Sequence, residues 1–134
     1  MDVEDVFVGL RNNARAIEDL RCFEYVPDSV APPAFFPVDV ILDYAGALVH
    51  GLPQMTVRCQ ILTSRASDRS GQKLLKEFLA ESGSRSLHVA LRSDPTLGGA
   101  CHDLQLQRVN GYRVYEHQGQ KFYGAGLELL VIGT

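Results

Sequence analysis

The sequence predicts an α+β fold, with two main helices packed on one antiparallel or mixed β-sheet of five to six strands. Two segments have apolar residues at helical spacing, several others alternate apolar and polar residues as half-buried strands do, and turn signals join those strands into hairpins. The chain has 134 residues, of which 46% are hydrophobic, enough to bury a core without disulfides or metals. We therefore expect one domain over residues 1–134.

The first helix is predicted over residues 3–20. Val6, Leu10 and Ile17 lie on one side of it with other apolar residues, and charged residues lie on the opposite side. Acidic residues at its start and arginines towards its end complement the helix dipole. Such an amphipathic helix must dock its apolar side on another element.

A short strand at 22–26 and a loop are expected after this helix. The segment PDSVAPPAFFP (27–37) holds four prolines, which predicts an extended loop rather than a helix. A long hairpin then follows, because residues 38–44 and 55–61 each alternate between two faces and HGLP (50–53) supplies a turn. AGALV (45–49) is a candidate continuation of the first of these strands.

The second main helix is predicted over 69–82, with Ser67 or Asp68 as its N-cap. Gly71 falls on its apolar side, where a missing side chain permits close packing. A further short helical turn is predicted at 86–92.

The last third of the chain is predicted to be a meander. Asn110-Gly111 is the strongest short hairpin signal in the sequence, and Gln118-Gly119 marks a second tight turn. The three strands joined by these turns are 101–109, 112–117 and 121–132.

Three potentially reactive side chains adjoin at Cys101, His102 and Asp103. Neighbouring residues of a strand point to opposite faces, so Cys101 and Asp103 share one face and His102 points to the other. A nucleophile needs its base within about 3 Å, so these three residues cannot form a triad among themselves. A buried thiol beside two surface polar groups is the simpler interpretation. A small cysteine-dependent enzyme, with a partner for Cys101 from elsewhere in the chain, is the alternative.

The remaining reactive residues do not form a site pattern. The three cysteines, Cys22, Cys59 and Cys101, are spaced for neither a zinc motif nor a disulfide framework, and are expected to be reduced and buried. The four histidines lack metal-binding spacing, and SDRSGQK (67–73) lacks the spacing of a phosphate loop. We therefore assign no catalytic, cofactor-binding or metal-binding residue from the sequence.

The composition disfavours two classes of function. A net charge of −3 argues against a dedicated nucleic-acid binder, which is usually basic. No apolar run approaches the roughly 20 residues that span a bilayer, and the acidic N-terminus lacks the basic region of a signal peptide. The sequence predicts a cytosolic protein without membrane contact.

Three segments carry a family resemblance: SDRSGQ (67–72), DPTLGGA (94–100) and GYRVYEHQGQKFYGAGLELLV (111–131). In this order and spacing, the second half of the chain resembles the tail terminator proteins of long-tailed bacteriophages. The first half is similar in layout only, with an N-terminal helix, a PDS-to-PP loop (27–33) and a long hairpin that ends before SDRSGQ.

The resemblance implies a structural role without chemistry. Such proteins assemble as a ring, usually a hexamer, on the end of the completed tail tube. They stop polymerisation of the tube protein and give the head–tail connector a surface to bind, and DNA passes through the lumen without sequence-specific binding. The implied location is the tail or neck of the virion, after assembly in the cytoplasm of the bacterial host. Another neck or head-closure protein is the alternative, since such proteins have similar sizes.

Five residues are candidate contacts with other subunits or partners: Phe35, Phe36, Arg65, Arg69 and Leu97. The proline-rich loop would present the two phenylalanines, and the turn DPTLGG (94–99) would present Leu97. The alternative for the phenylalanines is that they cover the protein's own core, and for Leu97 that it belongs to a tight loop without a contact role. Exposed strand edges can also pair with a neighbouring subunit, and a closed ring hides those edges.

Overall fold

The computed structural model describes residues 1–43, 52–65 and 69–133, which form a five-stranded mixed sheet and three α-helices. This architecture confirms the predicted α+β fold. No helix in these ranges is long and apolar enough to cross a membrane. In chain order the elements are α1 (Val3–Ala14), β1 (Arg21–Cys22), β2 (Ala34–Asp43), β3 (Gln54–Arg65), α2 (Arg69–Leu79), α3 (Leu87–Leu91), a 3₁₀ turn (Leu97–Gly99), β4 (Asp103–His117) and β5 (Gln120–Ile132).

The strands lie in the order β1-β2-β3-β5-β4. β1 runs parallel to β2, and every other neighbouring pair is antiparallel. The predicted pairing of the two strands before α2 is therefore confirmed, although the turn at 50–53 and the continuation at 45–49 lie almost entirely outside the described residues. β5 lies in the interior of the sheet, which explains why it is rich in buried apolar residues.

The main core lies between one face of the sheet and the helices. Leu10 of α1 and Phe78 of α2 pack in one cluster with the inward-facing side chains of β3 and β5. The expected alternation of β3 is confirmed, and β5 alternates in the same way, since the inward residues of both strands are almost fully buried. These residues are Met55, Val57, Cys59 and Ile61 on β3, and Ala125, Leu127, Leu129 and Val131 on β5.

A second, smaller core lies on the opposite face of the sheet, at one end. Phe36, Leu62 and Phe122 are buried there, and Phe23 and Val30 of the segment between β1 and β2 pack against them. One imidazole nitrogen of His117, Nε2, lies 2.8 Å from the carbonyl oxygen of Pro27. The proline-rich segment thus covers this end of the outer face.

The first helix is shorter than predicted, because α1 ends at Ala14 rather than at residue 20. Ile17 and Leu20 are buried as the apolar pattern indicated, but they follow the helix in a turn-rich segment. Asp19 has a φ of 64°, a left-handed conformation that a right-handed helix does not accommodate. The burial prediction is confirmed and the helical one is wrong for residues 15–20.

Asn13 joins the end of α1 to the turn that follows α3. Its side-chain amide donates hydrogen bonds to the carbonyl oxygens of Leu91 and Asp94, each at 2.9 Å. The Leu91 carbonyl is one of the last in α3, where the helix itself provides no donor. The side-chain nitrogen of this polar residue, on the buried side of α1, therefore donates to two acceptors.

Replacing Asn13 by alanine is expected to lower the free energy of unfolding by about 2 kcal/mol, because the Leu91 carbonyl loses the Asn13 donor and the Asp94 carbonyl keeps only the N–H of Leu97. Denaturation in urea measures the change. Asn12→Ala is the matched control, since Asn12 is exposed on the same helix and its loss should change stability by less than about 0.5 kcal/mol. Equal effects of the two substitutions would contradict this role of Asn13.

The segment before the hairpin was predicted incorrectly in two respects. β2 begins at Ala34, so the last four residues of the predicted loop belong to the sheet. Pro37 is tolerated there because the strand has a bulge between Pro37 and Asp39, a position that does not need a ladder N–H. Beyond the bulge the predicted half-buried alternation fails, since Val38, Ile41 and Leu42 are all exposed.

The hairpin predicted at Asn110-Gly111 is wrong, because β4 continues through it as one strand. A two-residue turn of type I′ needs positive φ at both central residues, and here Gly111 alone has it, at 64°. The result is a bulge between Asn110 and Arg113. The turn at Gln118-Gly119 is confirmed, and its φ angles of 53° and 77° fit type I′.

The predicted close approach at Gly71 is confirmed. α2 begins at Arg69 and ends at Leu79, three residues earlier than predicted, and its expected cap at Ser67 or Asp68 lies outside the described residues. A Cβ atom on Gly71 would overlap the side chain of Ser64 on β3. The predicted helical turn at 86–92 is confirmed as α3, which Ser86 caps by accepting a hydrogen bond from the N–H of Val89.

Candidate subunit interface

The two phenylalanines proposed as contacts are buried in the protein itself. Phe35 belongs to the main core and Phe36 to the second core on the opposite face, since successive residues of β2 point in opposite directions. Neither ring is exposed by more than 1%. Of the two interpretations of these residues, the core role is confirmed, and neither ring is available to a partner in this structure.

Of the two interpretations of Leu97, exposure at a loop tip as a contact residue is wrong, because only 4% of the residue is accessible. Leu97 packs against Gly9 of α1, where a Cβ atom would approach the Leu97 Cβ to 2.6 Å. Asp94 fixes the turn by accepting hydrogen bonds from the Thr96 hydroxyl and from the N–H groups of Thr96 and Gly98. These hydrogen bonds, first of all that from the Thr96 hydroxyl, lower the pKa of Asp94.

Arg65 and Arg69 are exposed, as a contact role requires. Arg65 ends β3 and Arg69 begins α2, on either side of the undescribed residues 66–68. Lys73 and Lys76 follow Arg69 along α2, and all three lie on the helix side opposite the buried residues. Within the described ranges none of these four cations forms an ion pair, so α2 presents a basic stripe at the molecular surface.

The sheet has two open edges, on opposite sides of the molecule. β4 is the last strand, and its outer edge pairs with no other strand of the described chain. On the other side β1 covers β2 only at Ala34 and Phe35, so the edge of β2 from Pro37 to Leu42 pairs with no strand in the same ranges. Both edges carry exposed apolar side chains: Val38, Ile41 and Leu42 on β2, and Val109, Tyr112 and Val114 on β4.

A row of four charged residues crosses the sheet on the face opposite the helices. Each of β2, β3, β5 and β4 contributes one residue, and the four lie directly opposite one another in register: Asp39, Arg58, Glu128 and Arg108. We call this set the charge row. The Arg58 guanidinium lies 3.4 Å from the Asp39 carboxylate and 3.8 Å from that of Glu128, and Arg108 lies 3.5 Å from Glu128.

The signs alternate along the charge row, so that its β2 end is negative and its β4 end is positive. Glu128 lies between two arginines, and its carboxylate also accepts a hydrogen bond from the side chain of Asn110 at 3.1 Å. Exposed ion pairs contribute about 0–1 kcal/mol each to stability. The charge row therefore contributes little to the stability of the sheet. Its main effect is on which charged surfaces can lie beside the edges of the sheet.

Sequence reasoning did not find the charge row. The alternation of the two hairpin strands placed Asp39 and Arg58 on outward faces, which was the available signal for these two members. The other members become neighbours only through the strand order β2-β3-β5-β4 and through the bulges in β2 and β4. Neither the order nor the bulges can be read from hydrophobic periodicity.

The adjacent residues Cys101, His102 and Asp103 have separate surroundings. The Cys101 thiol is buried and donates to the carbonyl oxygen of Pro95 at 3.3 Å, and His102 is exposed. Asp103 lies 4.0 Å from the guanidinium of Arg92. Over residues 1–43, 52–65 and 69–133, no three His, Cys, Asp or Glu side chains are grouped closely enough to hold a metal ion.

All three cysteines are buried and free, as the sequence predicted. Burial raises the pKa of Cys22 to about 11 and raises that of Cys59 as well. Burial also raises the pKa of Cys101, and the nearby negative charges of Asp103 and Asp94 add to the effect. The thiolate is the nucleophilic form of cysteine, so these thiols are held in the unreactive, protonated form at neutral pH.

We expect none of the three thiols to react with a disulfide reagent such as DTNB in the native protein at neutral pH. In denaturant all three should react, which supplies the internal control for the cysteine content. Rapid labelling of Cys101 in the native protein would contradict the buried-thiol interpretation and favour the cysteine-dependent enzyme.

In comparisons with known proteins, no protein-family model matches the sequence and no curated protein matches it.

Proposed function

We propose that the protein is a structural component of a bacteriophage virion that acts by assembling into a ring. Its particular role is proposed to be that of the tail terminator, which caps the tail tube. The resemblance of residues 67–72, 94–100 and 111–131 supports this role. The observation that carries it is the pair of open strand edges on opposite sides of one sheet, at β2 and β4.

Two different edges on opposite sides suit a head-to-tail contact between identical subunits. Such contacts build a closed ring when the rotation between subunits closes, and an open filament when it does not. A closed ring leaves no strand edge free, which removes the hazard of further edge pairing. The ring is usually a hexamer in the proteins that the sequence resembles.

A terminator needs two unlike surfaces. One surface must match the end of the tail tube, and the other must refuse the next tube subunit while accepting the head–tail connector. Arg69, Lys73 and Lys76 form the basic stripe on one side of α2, and together with the exposed Arg65 they are our candidates for contact with one of these partners. DNA would pass through the ring lumen without sequence-specific contacts.

Electron microscopy of particles assembled without this gene tests the proposal. Abnormally long tail tubes detached from filled heads are the expected result, because nothing would stop tube polymerisation. Expression of the gene from a plasmid should restore tails of normal length, which is the control for indirect effects of the deletion.

Other outcomes of this experiment would reject the terminator role. Tails of normal length that fail to join heads, or heads that leak DNA, would assign the protein to the neck or to head closure. Normal particles would reject every structural role in the virion.

A further inference from the structure

We propose that the edge of β4 in one copy of the protein docks beside the edge of β2 in the next copy, with Arg108 opposite Asp39. The charge row would then continue from subunit to subunit with its signs still alternating. This inference rests on the proposed ring and names the surface through which the ring forms. The partner is a second copy of the same chain.

Charge complementarity is the first argument for this partner. Within one chain the charge row runs from Asp39 through Arg58 and Glu128 to Arg108, so its two ends carry opposite charges. The Arg108 side chain is 65% exposed, and Arg58 and Glu128 each have an oppositely charged neighbour on both sides. Each end of the row therefore lacks one neighbour, and the opposite end of another copy supplies a neighbour of the required sign.

Strand direction is the second argument. Neighbours are antiparallel throughout the series β2, β3, β5 and β4, so β2 and β4 run in opposite directions. A copy rotated about an axis along the strands keeps the directions of its strands. Its β4 would accordingly lie antiparallel to β2 of the first copy, which is the more favourable arrangement for pairing.

The residues next to the charge row support the same register. With Asp39 opposite Arg108 in an antiparallel pair, Val38, the bulged residue of β2, comes next to Val109 of the neighbouring copy. These two valines are 51% and 40% exposed in the single chain, so each has apolar surface to bury. We call this contact between β4 of one copy and β2 of the next the joint. It is expected to combine one ion pair with one apolar pair.

The backbone of β2 limits the strength of this joint. Pro37 has no N–H to donate, and the N–H of Val40 already donates to the Asp39 carboxylate at 2.8 Å. A long ladder of backbone hydrogen bonds is therefore not available on this edge, and the side chains carry the contact. Self-association should consequently weaken as ionic strength rises.

Two charge reversals and their mixture test the joint. Asp39→Arg and Arg108→Glu each place like charges opposite one another at every joint, so each variant alone should associate about tenfold or more weakly than the wild type. In an equimolar mixture the two variants can alternate around the ring. Every joint then pairs opposite charges, so the mixture should recover association towards the wild-type level.

Sedimentation velocity over a range of protein and salt concentrations is the measurement. The mixture separates the proposed contact from damage within a chain, because mixing does not repair a misfolded subunit. Circular dichroism and urea denaturation of each variant confirm that it folds. Arg15→Glu is the matched control for Arg108→Glu, since it reverses the same charge at the exposed end of α1 and should leave association unchanged.

A cysteine pair provides a second test, one that also works where association is weak. In the Val38→Cys, Val109→Cys double variant, oxidation by oxidised glutathione should link successive copies into a ladder of oligomers. The two positions lie on opposite edges of the sheet, and the native cysteines are buried, so neither gives this ladder within one chain. Each single variant is the control and should stop at dimers.

The contact is overturned if both charge reversals associate like the wild type, if their mixture fails although both fold, or if the cysteine pair gives no ladder. Weakening by Arg15→Glu alone would place the contact at the end of α1 instead. Such results would leave the proposed function intact if deletion of the gene still gives overlong tails. Normal tails after deletion, together with a positive mixing result, would show a self-assembling protein without a terminator role.

Discussion

Replacing Phe36 by alanine is expected to lower the free energy of unfolding by about 4 kcal/mol, the usual cost of truncating a fully buried phenylalanine. Phe36 is the largest side chain that β2 contributes to the second core. It packs there with Leu62 and Phe122, and the covering residues Phe23 and Val30 pack against this cluster. Its ring centroid also lies 6.1 Å from that of His117. The cavity would form beneath a covering segment without regular structure, so the segment between β1 and β2 should also become more sensitive to proteolysis.

Urea denaturation and limited proteolysis measure the two effects. Val38→Ala is the matched control, because Val38 lies two residues along the same strand with its side chain largely exposed. It should change stability by less than about 0.5 kcal/mol. Similar losses for the two variants would mean that the outer face of the sheet is not packed as described.

Replacing Gly71 by valine is expected to lower the free energy of unfolding by about 3 kcal/mol through overpacking. The new side chain would occupy the space of Ser64 where α2 lies closest to β3. It would also disturb the hydrogen bond from the Thr63 hydroxyl to the Gly71 carbonyl, 2.9 Å long in the native protein. Helix propensity alone predicts a gain for any such replacement of glycine, so the sign of the effect distinguishes the two explanations.

A second-site change supplies the control for Gly71. Ser64→Gly removes the side chain that the valine would meet, so the double variant should recover part of the stability lost by Gly71→Val. Urea denaturation of the two single variants and the double variant measures the coupling. Additive losses would show that the substitution at Gly71 acts by some route other than contact with Ser64.

The elements that the sequence predicted well are those with a long, regular pattern. β3 and β5 alternate over most of their length, and they lie next to each other at the centre of the sheet with one face under the helices. The periodicity of burial is then the same as the periodicity of the side chains. Gly71 was predicted for a similar reason, since a glycine on the apolar side of a helix has few other uses.

The predictions failed where the local sequence is compatible with two backbone conformations. Asn110-Gly111 suits a turn, but β5 pairs with residues on both sides of it, so a bulge replaces the turn. Ile17 and Leu20 keep the helical spacing in a segment that is not helical, because the spacing records burial and not backbone conformation. Tertiary pairing decided both cases, and neither is visible in a window of neighbouring residues.

The candidate interface could be predicted only in part from the sequence, for the same reason. Arg65 and Arg69 are exposed as expected, whereas Phe35, Phe36 and Leu97 belong to the protein's own interior. An apolar residue in a proline-rich loop or beside paired glycines has the same local sequence whether it lies in a contact surface or in the core. The edges of the sheet, which carry the proposed contact, depend on strand order.

The unequal spans of the strand pairs set the order in which the sheet can form. The turn at Gln118-Gly119 joins β4 directly to β5, so this hairpin closes almost no loop. The pairing of β3 with β5 brings Gln54 beside Ile132 and must close a loop that contains both α2 and α3. Contacts that are distant in sequence slow folding, so the rate of folding should depend on the β3–β5 pairing, with the hairpin already formed. Folding rates measured for substitutions in the β4–β5 pair and in the β3–β5 pair would show this order. The contacts of the folded sheet alone do not show it.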